Sequence, residues 1–180
     1  MSYEYNDYYD EYDYCEEDCS RHQPEKCEKK KYRPKPNKTV LKCGTPGAVT
    51  LPLATLAGTT FNVATVTVDT SKFNKPCIKF EFASNIVATA AALTLNFQIF
   101  KQCKNQLVPI PVGPVWTFSR LAEITSSDSF SFFVCDCDSC YDECCTYSVV
   151  ATVAGIATIG VTSINNAILS AIVVDESCDC

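Results

Sequence analysis

The stretch that decides the fold is Leu93-Thr-Leu-Asn-Phe-Gln-Ile99. Every second residue in it is large and apolar, and the residues between are polar. Because neighbouring side chains of a β-strand point to opposite faces of its sheet, this alternation places one face on a core and the other toward solvent. The stretch therefore predicts a half-buried strand.

The same period of two recurs along the chain. It is found at Ile78–Phe82, Phe130–Val134 and Tyr147–Val153, and turn-forming Gly, Pro and Asn residues separate the segments. Strong helix signals are few, and strands do not alternate with helices. The pattern predicts an all-β chain, an antiparallel β-sandwich or jelly roll of about eight or nine strands.

A charge-free run from Thr146 to Val174 is long enough to cross a membrane as a helix. However, Gly155, Gly160 and the Asn165-Asn166 pair interrupt it, and Val, Ile and Thr, which favour strands, dominate it. We expect consecutive buried strands here and no membrane partner.

The first 42 residues have a different character. Residues 1–20 carry eight acidic and no basic side chains, whereas residues 21–42 carry nine Lys or Arg. Charge and proline without an apolar period do not favour a packed core. We predict two parts: an extended, Tyr- and Cys-rich N-terminal arm at 1–42, and a sandwich body at 43–180 that ends in a short acidic Cys tail.

Thirteen cysteines are the chain's main chemical feature. Five of them fall between Cys135 and Cys145, and others lie near both ends of the chain. An odd number leaves one thiol over after pairing within the chain, which points to bonds between chains. The candidates for such crosslinks are Cys15, Cys19, Cys27, Cys135, Cys137, Cys140, Cys144, Cys145, Cys178 and Cys180.

A metal site is the alternative use of the same cluster. A zinc ion bound by thiolates would take Cys135, Cys137, Cys140 and Cys144 as ligands. The adjacent Cys144 and Cys145 favour disulfides instead, because neighbours on a strand point to opposite faces. One of the two can then bond within the chain and the other outward. We therefore prefer disulfides and expect no cofactor.

Catalytic signals are weak. The one histidine, His22, lies in the arm, and the chain has neither a nucleophile elbow nor a glycine-rich phosphate loop. The body from Cys43 onward has six Lys or Arg against eleven Asp or Glu, a poor match for phosphate backbones. We expect no enzyme and no nucleic-acid partner.

The chain resembles a known family in four phrases. These are Cys43–Gly47, Ile110–Arg120, Phe130–Cys140 and Gly160–Ser170, and the likeness covers residues 43–174. They resemble a cysteine-rich domain family of unknown function from spore-forming clostridia. That family brings no activity to carry over.

The overall layout is similar to endospore appendage subunits of bacilli, which are jelly-roll pilins with a cysteine-bearing N-terminal connector. This resemblance implies that Cys15, Cys19 or Cys27 bonds to thiols at 135–145 of another copy. It also implies a structural subunit that self-assembles into a disulfide-crosslinked extracellular fibre or layer, a helical homopolymer. The start Met-Ser-Tyr-Glu lacks the features of a signal peptide. We therefore expect a spore-surface protein released by lysis of the cell that makes it.

Overall fold

Alternating apolar and polar residues form nine β-strands. The structure is a computed structural model that describes residues 38–89, 92–104, 106–121, 125–137, 144–154 and 161–175. Its strands are β1 (Thr39–Cys43), β2 (Gly47–Leu51), β3 (Thr60–Asp69), β4 (Pro76–Thr89), β5 (Leu93–Cys103), β6 (Ile110–Arg120), β7 (Thr125–Asp136), β8 (Cys144–Val153) and β9 (Val161–Asp175). No helix lies among the described residues. The predicted all-β fold of eight or nine strands is confirmed.

The strands form two antiparallel sheets. In sheet A, β4 lies between β7 and β9, and both β1 and β2 pair with the far side of β9. Sheet B has the order β3-β8-β5-β6. Because β1 and β2 follow one another along the same neighbour, they act as one strand that is interrupted at Gly44–Pro46.

The pairing is nested around the β5–β6 hairpin. The next pair outward is β4 with β7, then β3 with β8, and finally β1 and β2 with β9. Successive pairs belong alternately to sheet B and sheet A, so the chain is a long antiparallel hairpin rolled into two layers. This arrangement is a jelly roll.

The inner faces of both sheets supply the core. The alternation predicted for 93–99 is confirmed, because Leu93, Leu95, Phe97 and Ile99 are buried while the residues between them are only half-buried. Phe82 packs between Phe97 and Phe132, with ring centroids 5.7 Å and 5.1 Å away. Burial of these large side chains is the dominant favourable term in folding.

The two long sides of the sandwich are closed differently. At one side the edge strands β6 and β7 meet through the stacked rings of Trp116 and Phe132, 5.7 Å apart. The other side is closed where the corner between β1 and β2 approaches β3. There the Gly44 N–H donates to the carbonyl of Leu169 at 2.9 Å, and an added Cβ on Gly44 would lie 2.2 Å from the carbonyl oxygen of Thr65.

The run from Thr146 to Val174 lies mostly in β8 and β9, as predicted. Asn165-Asn166 does not end a strand, however. Asn166 has a φ of 53°, and the register between β9 and β4 shifts beside it, so the pair forms a bulge within one long strand. Of the residues that the structure describes, none belongs to a helix long and apolar enough to span a membrane.

The body begins earlier than the predicted boundary between residues 42 and 43. Thr39 is already paired with Val174, and β1 continues from there to Cys43. β1 has no clean alternation of apolar and polar residues, and basic residues surround it, so the sequence carries no strand signal there. The rest of the predicted arm, residues 1–37, lies outside the described residues.

Candidate functional site

One end of the sandwich collects the cysteine-bearing segments. In sheet A, β1 begins and β9 ends there, since Thr39 pairs with Val174, and Pro76 at the start of β4 pairs with Asp175. In sheet B, Asp69 pairs with Cys144 at the same end. We call it the cysteine end; its strand termini are Thr39, Asp69, Pro76, Cys103, Ile110, Asp136, Cys144 and Asp175.

A buried polar cluster joins the two sheets at the cysteine end. Lys101 of β5 lies 3.3 Å from Asp136 of β7, Nζ to Oδ2, and the two side chains are 5% and 10% exposed. The buried Tyr147 of β8 donates its hydroxyl hydrogen to the same Oδ2 at 3.2 Å. Charges this far from water persist only when they are paired and hydrogen-bonded, so the cluster fixes the two sheets against each other.

Two disulfides flank this cluster. Cys103 and Cys145 are register partners on β5 and β8 and are bonded to each other. Both are buried, at 3% and 4% exposure, on the inner face of sheet B. Cys77, on β4, is bonded to Cys137, the residue that follows β7.

The second disulfide lies on the outside of the molecule. Ile78 and Asp136, the neighbours of these two cysteines, are register partners on the inner side, which puts Cys77 and Cys137 on the outer face of sheet A. Cys137 is exposed and Cys77 is half-buried. Of the two disulfides in the described part of the chain, one is thus shielded by the core and the other is open to solvent.

Three cysteines in the described residues are free, and all three are exposed. Cys135 lies on the outer face of sheet A and Cys144 at the start of β8 in sheet B. Cys43, at the end of β1, borders a shallow depression against Thr65 and Thr67 of β3. Cys43 was not among the residues predicted to form crosslinks, and only the odd number of cysteines indicated a further free thiol.

The structure corrects the site prediction at two positions. Cys137 and Cys145 were among the candidates for crosslinks between chains, and each is bonded within its own chain. Cys135 and Cys144 keep free thiols. The expected split of the adjacent pair is seen, because Cys145 points inward and Cys144 outward. Predictions for Cys15, Cys19, Cys27, Cys140, Cys178 and Cys180 lie outside the described residues.

The alternative prediction, a zinc site formed by four cysteines, loses one of its ligands. Of its four predicted ligands, Cys137 is bonded to Cys77 and so offers no thiolate. Within the described ranges, no three His, Cys, Asp or Glu side chains lie close enough together to hold a metal ion. Cys140 is not among the described residues.

The buried charge was missed by the sequence analysis, although a signal existed. Lys101 follows Ile99 by two residues, so the strand period places it on the inner face. An inward lysine requires a buried acid, but the sequence does not say which carboxylate meets it. Asp136 reaches it only because β7 in sheet A ends opposite β5 in sheet B.

Comparison with solved structures supports the fold. A chain from the structure of infectious bursal disease virus Gx strain is similar over 79% of this chain, with a TM-score of 0.51 and 9% identity. This chain spans only 33% of that viral chain. A chain from the Gt strain structure aligns over 77% of this chain and 41% of its own length at 7% identity, and its TM-score of 0.26 is too low to bear on the fold.

Sequence comparisons give a family but no activity. No curated protein matches the chain. A family model described as a domain of unknown function, DUF4489, matches residues 37–174. That match takes in all nine strands except the last residue of β9. The chain therefore belongs to the DUF4489 family.

Proposed function

We propose that this protein is a structural subunit that self-assembles through disulfides between copies into an extracellular fibre or layer, an appendage of the spore surface. The observation that carries the proposal is the cysteine end. The arm joins the body there at Thr39, the tail leaves there at Asp175, and the segment from Cys137 to Cys144 connects two strands there. Twelve of the thirteen cysteines belong to this end or to segments that join it, and Cys43 is the exception.

The state of the described cysteines supports a role in crosslinking. Two disulfides brace the body within the chain, and Cys43, Cys135 and Cys144 keep free thiols beside them. Cys135 and Cys144 are exposed on different sheets. A subunit with bonding groups on different faces can join more than one neighbour, which an open polymer requires.

The fold suits such a role. A jelly roll is a rigid two-layer block, and here its core is continuous from one end to the other. The few basic residues of the body argue for partners that are copies of the same chain and against nucleic acid. Stable disulfides need an oxidising setting, which agrees with the surface of a spore.

Gel analysis after oxidation tests the proposal. Purified protein is oxidised and run with and without a strong reductant, and parallel samples are viewed by electron microscopy. We expect a ladder or a gel-excluded polymer that collapses to monomer on reduction, with fibres or sheets on the grids. Monomer in both lanes would refute crosslinked assembly, and a zinc assay on the same sample would then test the alternative.

Variants sharpen the test. Removal of residues 1–37, or the double change Cys135→Ser and Cys144→Ser, is expected to shorten the ladder. The matched control is Cys43→Ser, which removes an equally exposed thiol away from the cysteine end. An equal loss of polymer in the control would contradict the importance of the cysteine end.

A further inference from the structure

The two disulfides differ sharply in how an incoming sulfur can reach them. Exchange requires a thiolate to approach one sulfur of the bond directly. Cys103 and Cys145 lie under the sheets and are almost completely buried, so their bond is shielded. Cys137 is exposed on the outer face of sheet A, and its bond to Cys77 is open to attack.

A lysine lies beside the open disulfide and the free Cys135. Lys79 follows Cys77 by two residues on the same face, and its register partner on β7 is the free Cys135. The pKa of Lys79 is raised, first by its hydrogen bond to Glu81 and then by the charge of Glu81. The two side chains lie 2.7 Å apart, Nζ to Oε1, so a charged pair borders the disulfide on this face.

Apolar side chains surround these groups on the same face. Leu41, Phe133 and Val174 are 63%, 59% and 37% exposed. Val174 is the register partner of Cys77, and Leu41 pairs with Ile172, which in turn pairs with Lys79. Phe133 pairs with Glu81 and precedes Cys135 by two residues on β7. Large exposed apolar residues grouped around reactive sulfur atoms are typical of a contact surface.

We propose that the Cys77–Cys137 disulfide is a covalent acceptor for a second copy of this chain. A thiolate of the second copy attacks Sγ of Cys137 and forms a disulfide between the chains. The electron pair of the broken bond leaves on Sγ of Cys77, which takes up the proton that the attacking thiol lost. One disulfide replaces another, so no oxidant is needed. The inference rests on the proposed function and names its acceptor sulfur.

The neighbouring thiol of the same chain is badly placed for this role. Cys135 is opposite Lys79, so it is diagonal to Cys77, and diagonal residues on paired strands are roughly 7–8 Å apart. That exceeds the roughly 4.4–6.8 Å that an unstrained disulfide spans between Cα atoms. Cys135 is therefore poorly placed to bond to Cys77. The cysteine-bearing arm and tail join the body beside this disulfide, since Thr39 and Val174 share a row with Cys77.

The first test compares the two disulfides in the intact protein. Free thiols are blocked with iodoacetamide without denaturation, dilute dithiothreitol is added, and newly released thiols are labelled with N-ethylmaleimide and mapped by mass spectrometry. We expect Cys77 and Cys137 to be labelled at least about tenfold faster than Cys103 and Cys145, because access limits exchange. Equal rates, or faster labelling of Cys103 and Cys145, would overturn the inference.

The second test identifies the partner. Blocked protein is mixed, without oxidant, with an equal amount of unblocked ¹⁵N-labelled protein, and crosslinked peptides are mapped. We expect peptides that join ¹⁴N Cys137 to a ¹⁵N cysteine. The control is a blocked ¹⁴N double variant, Cys77→Ser and Cys137→Ser, which should form no crosslink to the ¹⁵N protein. If oxidised protein polymerises but no interchain link contains Cys77 or Cys137, this inference fails while the proposed function stands. If oxidation gives no polymer, the proposed function itself fails.

Discussion

At the scale of single residues, two lysine–carboxylate pairs show that burial matters more than distance for what an ion pair contributes to the stability of the fold. Lys79 and Glu81 approach to 2.7 Å but are 46% and 51% exposed, so water and salt screen their attraction. Lys101 and Asp136 are 3.3 Å apart and almost buried. The longer pair is the one on which the fold depends, because removing one partner leaves a charge in a poorly hydrated site.

Lys101→Met should therefore destabilise the protein strongly. Methionine keeps the length and volume of the side chain, so the loss reports the charge that Asp136 no longer meets. We expect the free energy of unfolding to fall by on the order of 3 kcal/mol, measured by urea denaturation. Lys79→Met is the matched control on the exposed face, and it should leave the urea midpoint unchanged. Similar losses of unfolding free energy for both variants would show that the contribution of the Lys101–Asp136 pair does not come from its burial.

Glycine at position 44 is required by close approach. A Cβ there would meet two carbonyl oxygens, those of Thr65 at 2.2 Å and Leu169 at 3.0 Å. Both belong to paired strands, so neither can move aside without cost. Gly44→Ala is expected to cost about 1–3 kcal/mol, toward the upper end of that range. Gly47→Ala is the graded comparison, because its Cβ would lie 2.9 Å from one carbonyl oxygen, that of Val63.

Urea denaturation of the Gly44→Ala and Gly47→Ala variants shows which glycine matters more to stability. A larger loss at Gly47 than at Gly44 would mean that the corner between β1 and β2 relaxes away from β3. It would then not form a fixed closure of that side of the sandwich.

At the scale of strands, sequence reasoning succeeded wherever the information was local. The alternation in β5 and β8 predicted which side chains are buried, and it also separated Cys144 from Cys145. It did not find the partners of the disulfides. Cys77 meets Cys137 across sixty residues, and only the register between β4 and β7 brings them together. Strand pairing is a property of the whole chain, which a local period cannot supply.

The turn between β3 and β4 carries a pH-dependent contact. Asp69 accepts a hydrogen bond from the backbone N–H of Ser71 at 2.9 Å. Its pKa is lowered below 3.8, first by a hydrogen bond from the Ser71 side chain and then by this backbone bond. Because the folded state holds the ionised form more tightly than the unfolded state does, the contact stabilises the fold above pH 3.8. That contribution is lost as the pH falls through the lowered pKa.

Asp69→Asn removes the titrating charge and keeps an oxygen that accepts the hydrogen bond. The melting temperature of the original protein should exceed that of the variant near neutral pH, and the gap should close as the pH falls through the lowered pKa of Asp69. Thermal denaturation followed by circular dichroism across this range measures it. A gap that widens on acidification would contradict the lowered pKa.

At the scale of the whole molecule, each disulfide lies within one sheet. Cys77–Cys137 joins β4 to the end of β7 in sheet A, and Cys103–Cys145 joins β5 to β8 in sheet B. Among the described residues, non-covalent contacts join the sheets: the apolar core, the cluster of Lys101, Asp136 and Tyr147, and the ion pair between Arg120 of β6 and Asp128 of β7. The body thus has a core that does not depend on covalent bonds between its layers.

Reduction of both disulfides should therefore weaken the body without unfolding it. The bonds close loops of 60 and 42 residues of sequence separation, for which the chain-entropy model gives about 4 kcal/mol each. For a protein of this size, a total of about 8 kcal/mol lowers the melting temperature by ~15–30 °C. Calorimetry of the reduced, alkylated protein should still show one cooperative transition, with protein alkylated without reduction as the control. Loss of that transition would mean that the core cannot hold the two sheets together unaided, and that the disulfides are needed for the fold as well as for assembly.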